Sequence, residues 1–294
     1  MRWLEVSLAV SAELAEAVAD VLARFAPQGV AMSYEAGAGT GSPVQVRAYL
    51  PEGGAEPGTR QRLRQALWHL SQIQPLPEAT DRWIEEEDWA EAWKAAHRPL
   101  AVGRRLLIVP AWLEAGDTDR TPLYLDPGMA FGTGAHPTTR MCLAALEASL
   151  KAGDLVLDIG CGSGILSIAA ALLGAGRVLA CDIDEAALAA SARGAERNGV
   201  LPAIEIIPGS LEQVRERLGV GPRADVVAAN ILAPVLEDML SAGLAETARQ
   251  EGTVILSGIL AEQSHGVKAA ARRAGLTLIA EESEGEWRAL IFKR

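Results

Sequence analysis

Four short runs hold most of the side chains in this chain of 294 residues that could take part in chemistry. The first, LDPGMAFGTGAHPTT from Leu125 to Thr139, sets Phe131, Thr133, His136 and Thr139 among three glycines. The second, LDIGCGSGILSIAA, starts at Leu157, and the third, CDID, carries Asp182 and Asp184. The fourth, DVVAANILAPVL, places Asn230 after an apolar stretch. Glycine-rich loops that run into helices usually hold phosphate through backbone N–H groups. Neither glycine run here ends in the Lys-Ser/Thr of a P-loop. With Met129 and Phe131, the opening run instead suits a neutral or cationic ligand, because a cation is attracted to an aromatic face. His69, His97, His136 and His265 show no ligand spacing and no C-x-x-C occurs, so no metal site is expected.

The second run reads as buried strand, glycine turn and helix. A dinucleotide fingerprint requires G-x-G-x-x-G, whereas Gly160, Gly162 and Gly164 give G-x-G-x-G, with Ile165 at the third fingerprint position. Preceded by Asp158, the turn resembles the first motif of class I S-adenosylmethionine-dependent methyltransferases. That cofactor has no phosphate, so close backbone approach matters more than an anion nest, and glycines permit it. Asp182 follows the first glycine by roughly 20 residues, where a carboxylate accepts bonds from ribose hydroxyls. Asp184 is the expected cap of the next helix. Asn230 falls at the carboxyl end of the fourth strand of an open α/β sheet, the edge where such sheets bind ligands. Asn-Ile-Leu-Ala lacks the Pro-Pro-aromatic that would stack a flipped adenine, which disfavours adenine as acceptor. His136 is expected to fix its loop rather than to act as a base. Cys161, although at a helix N-terminus where a thiolate is stabilised, reads as a small packing residue.

The elements that must position these side chains fall into two patterns. Leu4, Val6, Leu8 and Val10 alternate as in a half-buried strand, and Ser11 precedes Leu14, Val18, Leu22 and Phe25 at helical spacing. GVAMSY, VQVRAYL, a helix through Leu63, Leu67 and Leu70, and RWIEE complete a β-α-β-β-α-β order, that of a ferredoxin-like split βαβ unit. EEEDWAEAWKAAHRP follows as a connector helix with Trp89 and Trp93 on one face, ended by Pro99. RRLLIVPAW and TPLYLDPG read as strands leading into the opening run. From Asp154 onward strands and helices alternate, the mark of a parallel sheet covered on both faces. Strands are expected at 155–158, 178–181, 204–207, 225–229, 253–256, 276–280 and 287–292, with a helix at 137–150 ahead of them. The last strand follows its predecessor too closely for a helical crossover, so it should run antiparallel to its neighbour.

A net charge of −11 argues against broad nucleic-acid binding, DNA included, which needs a basic face. No apolar run approaches the ~20 residues of a membrane span, and the first residues lack a signal-peptide pattern. Three cysteines do not make a disulfide framework, and a cytoplasmic protein is expected.

Together with DIDEAAL and ERNGV, the quoted runs closely resemble the bacterial family that methylates the eleventh large-subunit ribosomal protein. The resemblance is dense from about Trp83 to Leu260 and is one of architecture over the first 80 residues. It implies a ferredoxin-like substrate-recognition domain at 1–80, a linker helix at 81–100 and a methyltransferase domain at 101–294. The latter would be a Rossmann-like, seven-stranded, mostly parallel sheet. It further implies S-adenosyl-L-methionine as cofactor and the ribosomal protein's lysine ε-amines and N-terminal α-amine as acceptors. Thr139, Gly160, Asp182 and Asn230 are the implied cofactor contacts. Phe131, Thr133 and Gly162 complete the expected set, and Asn230 is the expected catalytic residue. A monomer is expected. KAAHRPLAVG departs from the family's basic and aromatic pattern, which bears on docking rather than chemistry. A methyltransferase acting on RNA or a small metabolite, and a non-catalytic assembly protein, remain as alternatives at this point.

Overall fold

The computed structural model describes residues 2–26, 30–33, 43–72, 75–85, 98–126, 134–219 and 223–294. The chain divides into two compact units, Met1–Arg98 and Pro99–Arg294.

In the first unit the strands are β1 (Arg2–Val10), β2 (Val30–Ser33), β3 (Val44–Pro51) and β4 (Thr80–Glu85). Among the described residues, helices α1 (Ala12–Ala23) and α2 (Pro57–Ser71) interrupt them. The strands form one antiparallel sheet in the order β2-β3-β1-β4. Because strand side chains alternate, Leu4, Val6, Leu8 and Val10 share one face, where they are buried with Val18 and Leu22 of α1 and Leu63 and Leu67 of α2. At the edge, Asp81 accepts from Arg60 and Arg64, each at 2.8 Å. β4 pairs with β1 from Ser7↔Thr80 to Arg2↔Glu85. The sheet therefore runs past the boundary at residue 80, and residues 81–85 are strand rather than linker helix. Trp89, Trp93 and the rest of 86–97 lie outside the described residues.

The second unit is built on seven strands: β8 (Leu155–Ile159), β9 (Arg177–Asp182), β10 (Ile204–Pro208), β11 (Ala224–Asn230), β12 (Ala248–Leu260), β13 (Thr277–Glu284) and β14 (Trp287–Lys293). Their order is β10-β9-β8-β11-β12-β14-β13. β10, β9, β8, β11 and β12 pair in parallel, and β14 runs antiparallel to both β12 and β13, as the short connection before it requires. Helices α3 (Pro137–Ser149), α4 (Ile165–Leu172), α5 (Glu185–Arg197), α6 (Leu211–Leu218), α7 (Ala233–Ser241) and α8 (Ser264–Arg273) cover it. Alternation divides the strand residues between two cores. Val156, Val178, Ala180, Val226 and Ala228 face Leu143 of α3 and Ile168 of α4. Leu157, Leu179, Val227, Ala229 and Leu256 face Val214 of α6, Leu236 of α7 and Val267 of α8. Burial on both faces explains why these strands read as unbroken apolar runs.

A separate three-stranded sheet comprises β5 (Leu100–Val102), β6 (Leu106–Pro110) and β7 (Thr121–Leu125). Glu147 of α3 ties its first turn down by accepting from the N–H groups of Arg104 and Arg105 at 3.0–3.2 Å.

Candidate functional site

The glycine turn after β8 is wired to the end of β9. The Cys181 carbonyl accepts from the N–H groups of Gly160 and Cys161, both at 2.9 Å. Asp182 then uses both carboxylate oxygens: Oδ2 accepts from Gly162 N–H at 2.8 Å and Oδ1 from Asp184 N–H at 3.0 Å. Asp184 caps α5 through Ala186 N–H at 2.9 Å, so Asp182 is not spent as the cap. Gly160, Gly162 and Gly164 all adopt positive φ. At Gly164 the reason is also steric, because a Cβ would lie 2.3 Å from Ser191 Oγ and 3.0 Å from the Ser191 backbone.

Beneath the turn, the buried Asp158 accepts from Ser167 N–H at 3.0 Å and Ser167 Oγ–H at 2.6 Å, both on Oδ2. Its Oδ1 has no hydrogen-bond partner among the described residues. Burial raises the Asp158 pKa to about 6; the Ser167 bonds oppose this and the nearby Asp182 adds to it. Burial likewise pushes the thiols of Cys142 and Cys181 up to about 12, and that of Cys161 higher still. Cys161 is therefore a packed thiol rather than a nucleophile.

The second half of the site is the first turn of α3, at whose N1 Pro137 sits. His136 is its N-cap: Nδ1 accepts from Thr138 N–H at 3.3 Å and lies 2.6 Å from Thr138 Oγ1. The His136 ring meets Trp287 edge-on, with centroids 4.9 Å apart at 73°. Burial, with help from Arg140, lowers its pKa to about 4, so at neutral pH it is an uncharged cap rather than a base poised to titrate. Thr139 is buried, and its Oγ1 accepts from Asn230 Nδ2 at 3.4 Å. Asn230 pairs across the sheet with Ser257, whose hydroxyl donates to the carbonyls of Thr138 at 3.4 Å and Arg288 at 3.2 Å.

Of the expected site residues, Thr139, Gly160, Gly162, Asp182 and Asn230 thus fall in two linked groups. The link is Ile231: a Cβ at Gly160 would lie 2.6 Å from its Cγ2, so the glycine turn closes against the residue after Asn230. Phe131 and Thr133 lie outside the described residues. Sequence reasoning missed three supports. Gly258 in β12, at φ +82°, sits against the Ile231 carbonyl, which a Cβ would approach to 2.4 Å. An isolated glycine in an apolar strand is the signal that could have found it. Asn198, within ERNGV, pairs both backbone groups of Tyr124: it accepts from the N–H and donates to the carbonyl, each at 2.8 Å. Arg140 donates to the Ala135 carbonyl and pairs with Glu284. Among the described residues, no group of side chains could hold a metal ion and no helix is long and apolar enough to cross a membrane.

A family model described as "Ribosomal protein L11 methyltransferase (PrmA)" matches residues 2–294. A ribosomal protein L11 methyltransferase of Chloroflexus aurantiacus is 41% identical, covering 99% of this chain and 98% of the relative. One from Streptococcus equi subsp. zooepidemicus is 38% identical, covering 99% and 96%. Among solved structures, ribosomal protein L11 methylase from Lactobacillus delbrueckii subsp. bulgaricus is similar, with 33% identity and a TM-score of 0.61. That likeness covers 67% of this chain and 99% of the other.

Proposed function

The chain belongs to the ribosomal protein L11 methyltransferase family, and we propose that it methylates the lysine ε-amines and N-terminal α-amine of that ribosomal protein. It is an S-adenosylmethionine-dependent methyltransferase with a Rossmann-like sheet. The residues present suit that cofactor. The positive-φ glycines leave the turn's backbone open to close approach. Asp182, with both oxygens aligned by backbone N–H groups, keeps lone pairs for two ribose hydroxyls. Ile183 beside it is 82% exposed and offers an apolar surface to a purine. The orphaned, buried Asp158 Oδ1 is an acceptor in want of a donor. Thr139, Gly160, Gly162, Asp182 and Asn230 would hold the cofactor, with Phe131 and Thr133 assigned to it from the sequence.

When bound, the cofactor supplies a methyl group made electrophilic by its sulfonium. The protein's task is to present a neutral amine to it. A lysine of pKa ~10.4 costs roughly 4.6 kcal/mol to deprotonate at pH 7, an α-amine of ~7.8 about 1 kcal/mol. Asn230 is the orienting group: with Nδ2 on the Thr139 hydroxyl, Oδ1 is left to accept from the amine N–H and aim its lone pair. His136, neutral and turned onto Thr138, is not suited to take the proton, which goes to water. The enzyme acts as a cytoplasmic monomer without DNA or membrane.

The observation that carries this reading is the Asn230–Thr139 contact beside the Asp182-bonded glycine turn. Incubation with radiolabelled cofactor and unmethylated ribosomal proteins should label one small basic protein. Asn230→Ala should lower that labelling by roughly 100-fold or more, while cofactor affinity changes far less. Label appearing in RNA would reject the acceptor, and equal loss of affinity and activity would leave Asn230 as a cofactor ligand alone, without an orienting role.

A further inference from the structure

Arg140 and Glu284 take no part in the chemistry above, yet they meet at its edge. Arg140 follows Thr139 on the first turn of α3, where its N–H donates to the His136 carbonyl at 3.1 Å. Its guanidinium divides in two directions. Nη1 donates to the carbonyl of Ala135, the residue between the last glycine of the opening run and the His136 cap. Nε and Nη2 form a two-toothed pair with the Glu284 carboxylate, Nε to Oε2 at 3.3 Å, across 144 positions of sequence. Glu284 ends β13 and lies opposite Trp287 in the terminal hairpin. Trp287 in turn packs its ring on His136 and shares a small apolar cluster with Met141. One hairpin therefore grips one helical turn twice, by charge through Glu284 and by ring contact through Trp287. Between those grips stands Thr139, hydrogen-bonded to Asn230.

A guanidinium suits this place because it offers five donors in a fixed plane, so one side chain can serve a carboxylate and a carbonyl together. A surface ion pair alone contributes little to stability. The carbonyl bond is the informative part: it fixes the end of the glycine-rich run relative to Thr139. We propose that Arg140 and Glu284 are positioning residues for the cofactor, a bracket through which the terminal hairpin sets the end of the opening run against Thr139 and Asn230. The inference rests on the cofactor reading above.

The test uses the full chain and S-adenosylhomocysteine, with Kd read by titration calorimetry and the unfolding midpoint by scanning calorimetry. Glu284→Gln and Arg140→Lys, which preserve size, should weaken binding roughly three- to tenfold, within the coupling that packed networks carry. The double variant Arg140→Glu with Glu284→Arg restores an ion pair, but a carboxylate at position 140 cannot donate to the Ala135 carbonyl. It should recover the midpoint lost in the single variants without recovering affinity. A lowered midpoint with Kd within twofold of the parent would mean a purely structural pair and overturn the proposal. So would full recovery of affinity in the double variant. Absence of binding by the unaltered protein would instead strike the cofactor reading itself, and the bracket with it.

Discussion

The glycine turn at 160–164 and the described flanks of the opening run are held by opposite means. The turn at 160–164 is held by its own neighbours: carbonyl and carboxylate groups at the end of β9 bond its N–H groups, and a buried aspartate under it bonds the first turn of α4. Tyr124 and Ala135, which flank the opening run, are held from far away. Asn198 pairs Tyr124 on one side, and Arg140 with Glu284 fixes Ala135 on the other. A turn locked by local backbone should fail abruptly when its geometry is violated. Flanks fixed by distant side chains should loosen by degrees.

The largest effect should follow from violating the turn. In Gly164→Ala the new Cβ must share φ +77° with a position 2.9 Å from Ser191 Cβ and 3.0 Å from its Cα. Left-handed strain plus overlap should cost about 3–4 kcal/mol, read by urea unfolding. Ser191→Ala in the same chain should not rescue it, because the Cβ and backbone contacts remain. Rescue would mean that only the Ser191 hydroxyl stands in the way.

That contrast also explains what could be read from sequence. The central strands of the large sheet announce themselves because both of their faces are buried, so their composition alone marks them. The glycine turn is legible because its constraints are local, and Asp182 and Asn230 follow from the rule that open sheets bind ligands at their carboxyl edge. β5 is only three residues long and has no period to detect. Asn198 stood in plain view within ERNGV, but its role depends on a strand 74 positions earlier. Arg140 and Glu284 gave no local signal, since each is an ordinary surface residue until the hairpin brings them together. Strand β4 was legible as RWIEE, but its start at Thr80 is set by pairing with β1, since its own side chains are mostly exposed.

The two regions should also titrate in opposite senses. His136 has a folded pKa of about 4 against 6.5 when unfolded. Between those values the unfolded chain binds the extra proton, so stability falls as pH drops through the window. Asp158 has a folded pKa of about 6 against 3.8. There the folded chain holds the extra proton, so stability falls as pH rises from 3.8 to about 6. Each gap corresponds to about 3 kcal/mol. His136→Asn, which keeps a capping side chain, should remove the first slope, and Asp158→Asn the second. Unfolding free energies measured across the window should therefore diverge between these variants in opposite directions from the parent. Parallel curves would mean that neither group titrates as its surroundings require.

A more modest change is expected at the Tyr124 flank. Asn198→Ala deletes three bonds of 2.8 Å, to both backbone groups of Tyr124 and to the Gly194 carbonyl. Partly exposed groups can turn to water, so the loss should be about 2 kcal/mol rather than the full sum. Asn198→Asp retains the acceptor for Tyr124 N–H and should recover part of it. If the aspartate variant is as stable as the parent, the carbonyl bonds contribute nothing.

The smallest effect should separate the two flanks by salt. Asn198 holds its partner with neutral hydrogen bonds, whereas Arg140 and Glu284 form an ion pair whose side chains are 28% and 42% exposed. Raising ionic strength from ~0.1 M to 1 M shrinks the Debye length from about 10 Å to about 3 Å and screens exposed charge. For a pair of this exposure the change should stay under ~0.5 kcal/mol. It is visible only as a difference: the parent should lose slightly more stability with salt than Glu284→Gln, while Asn198→Ala should show the parent's full dependence. If Asn198→Ala instead lost its salt dependence, the two flanks would be one coupled structure, and their separate descriptions would have to be joined.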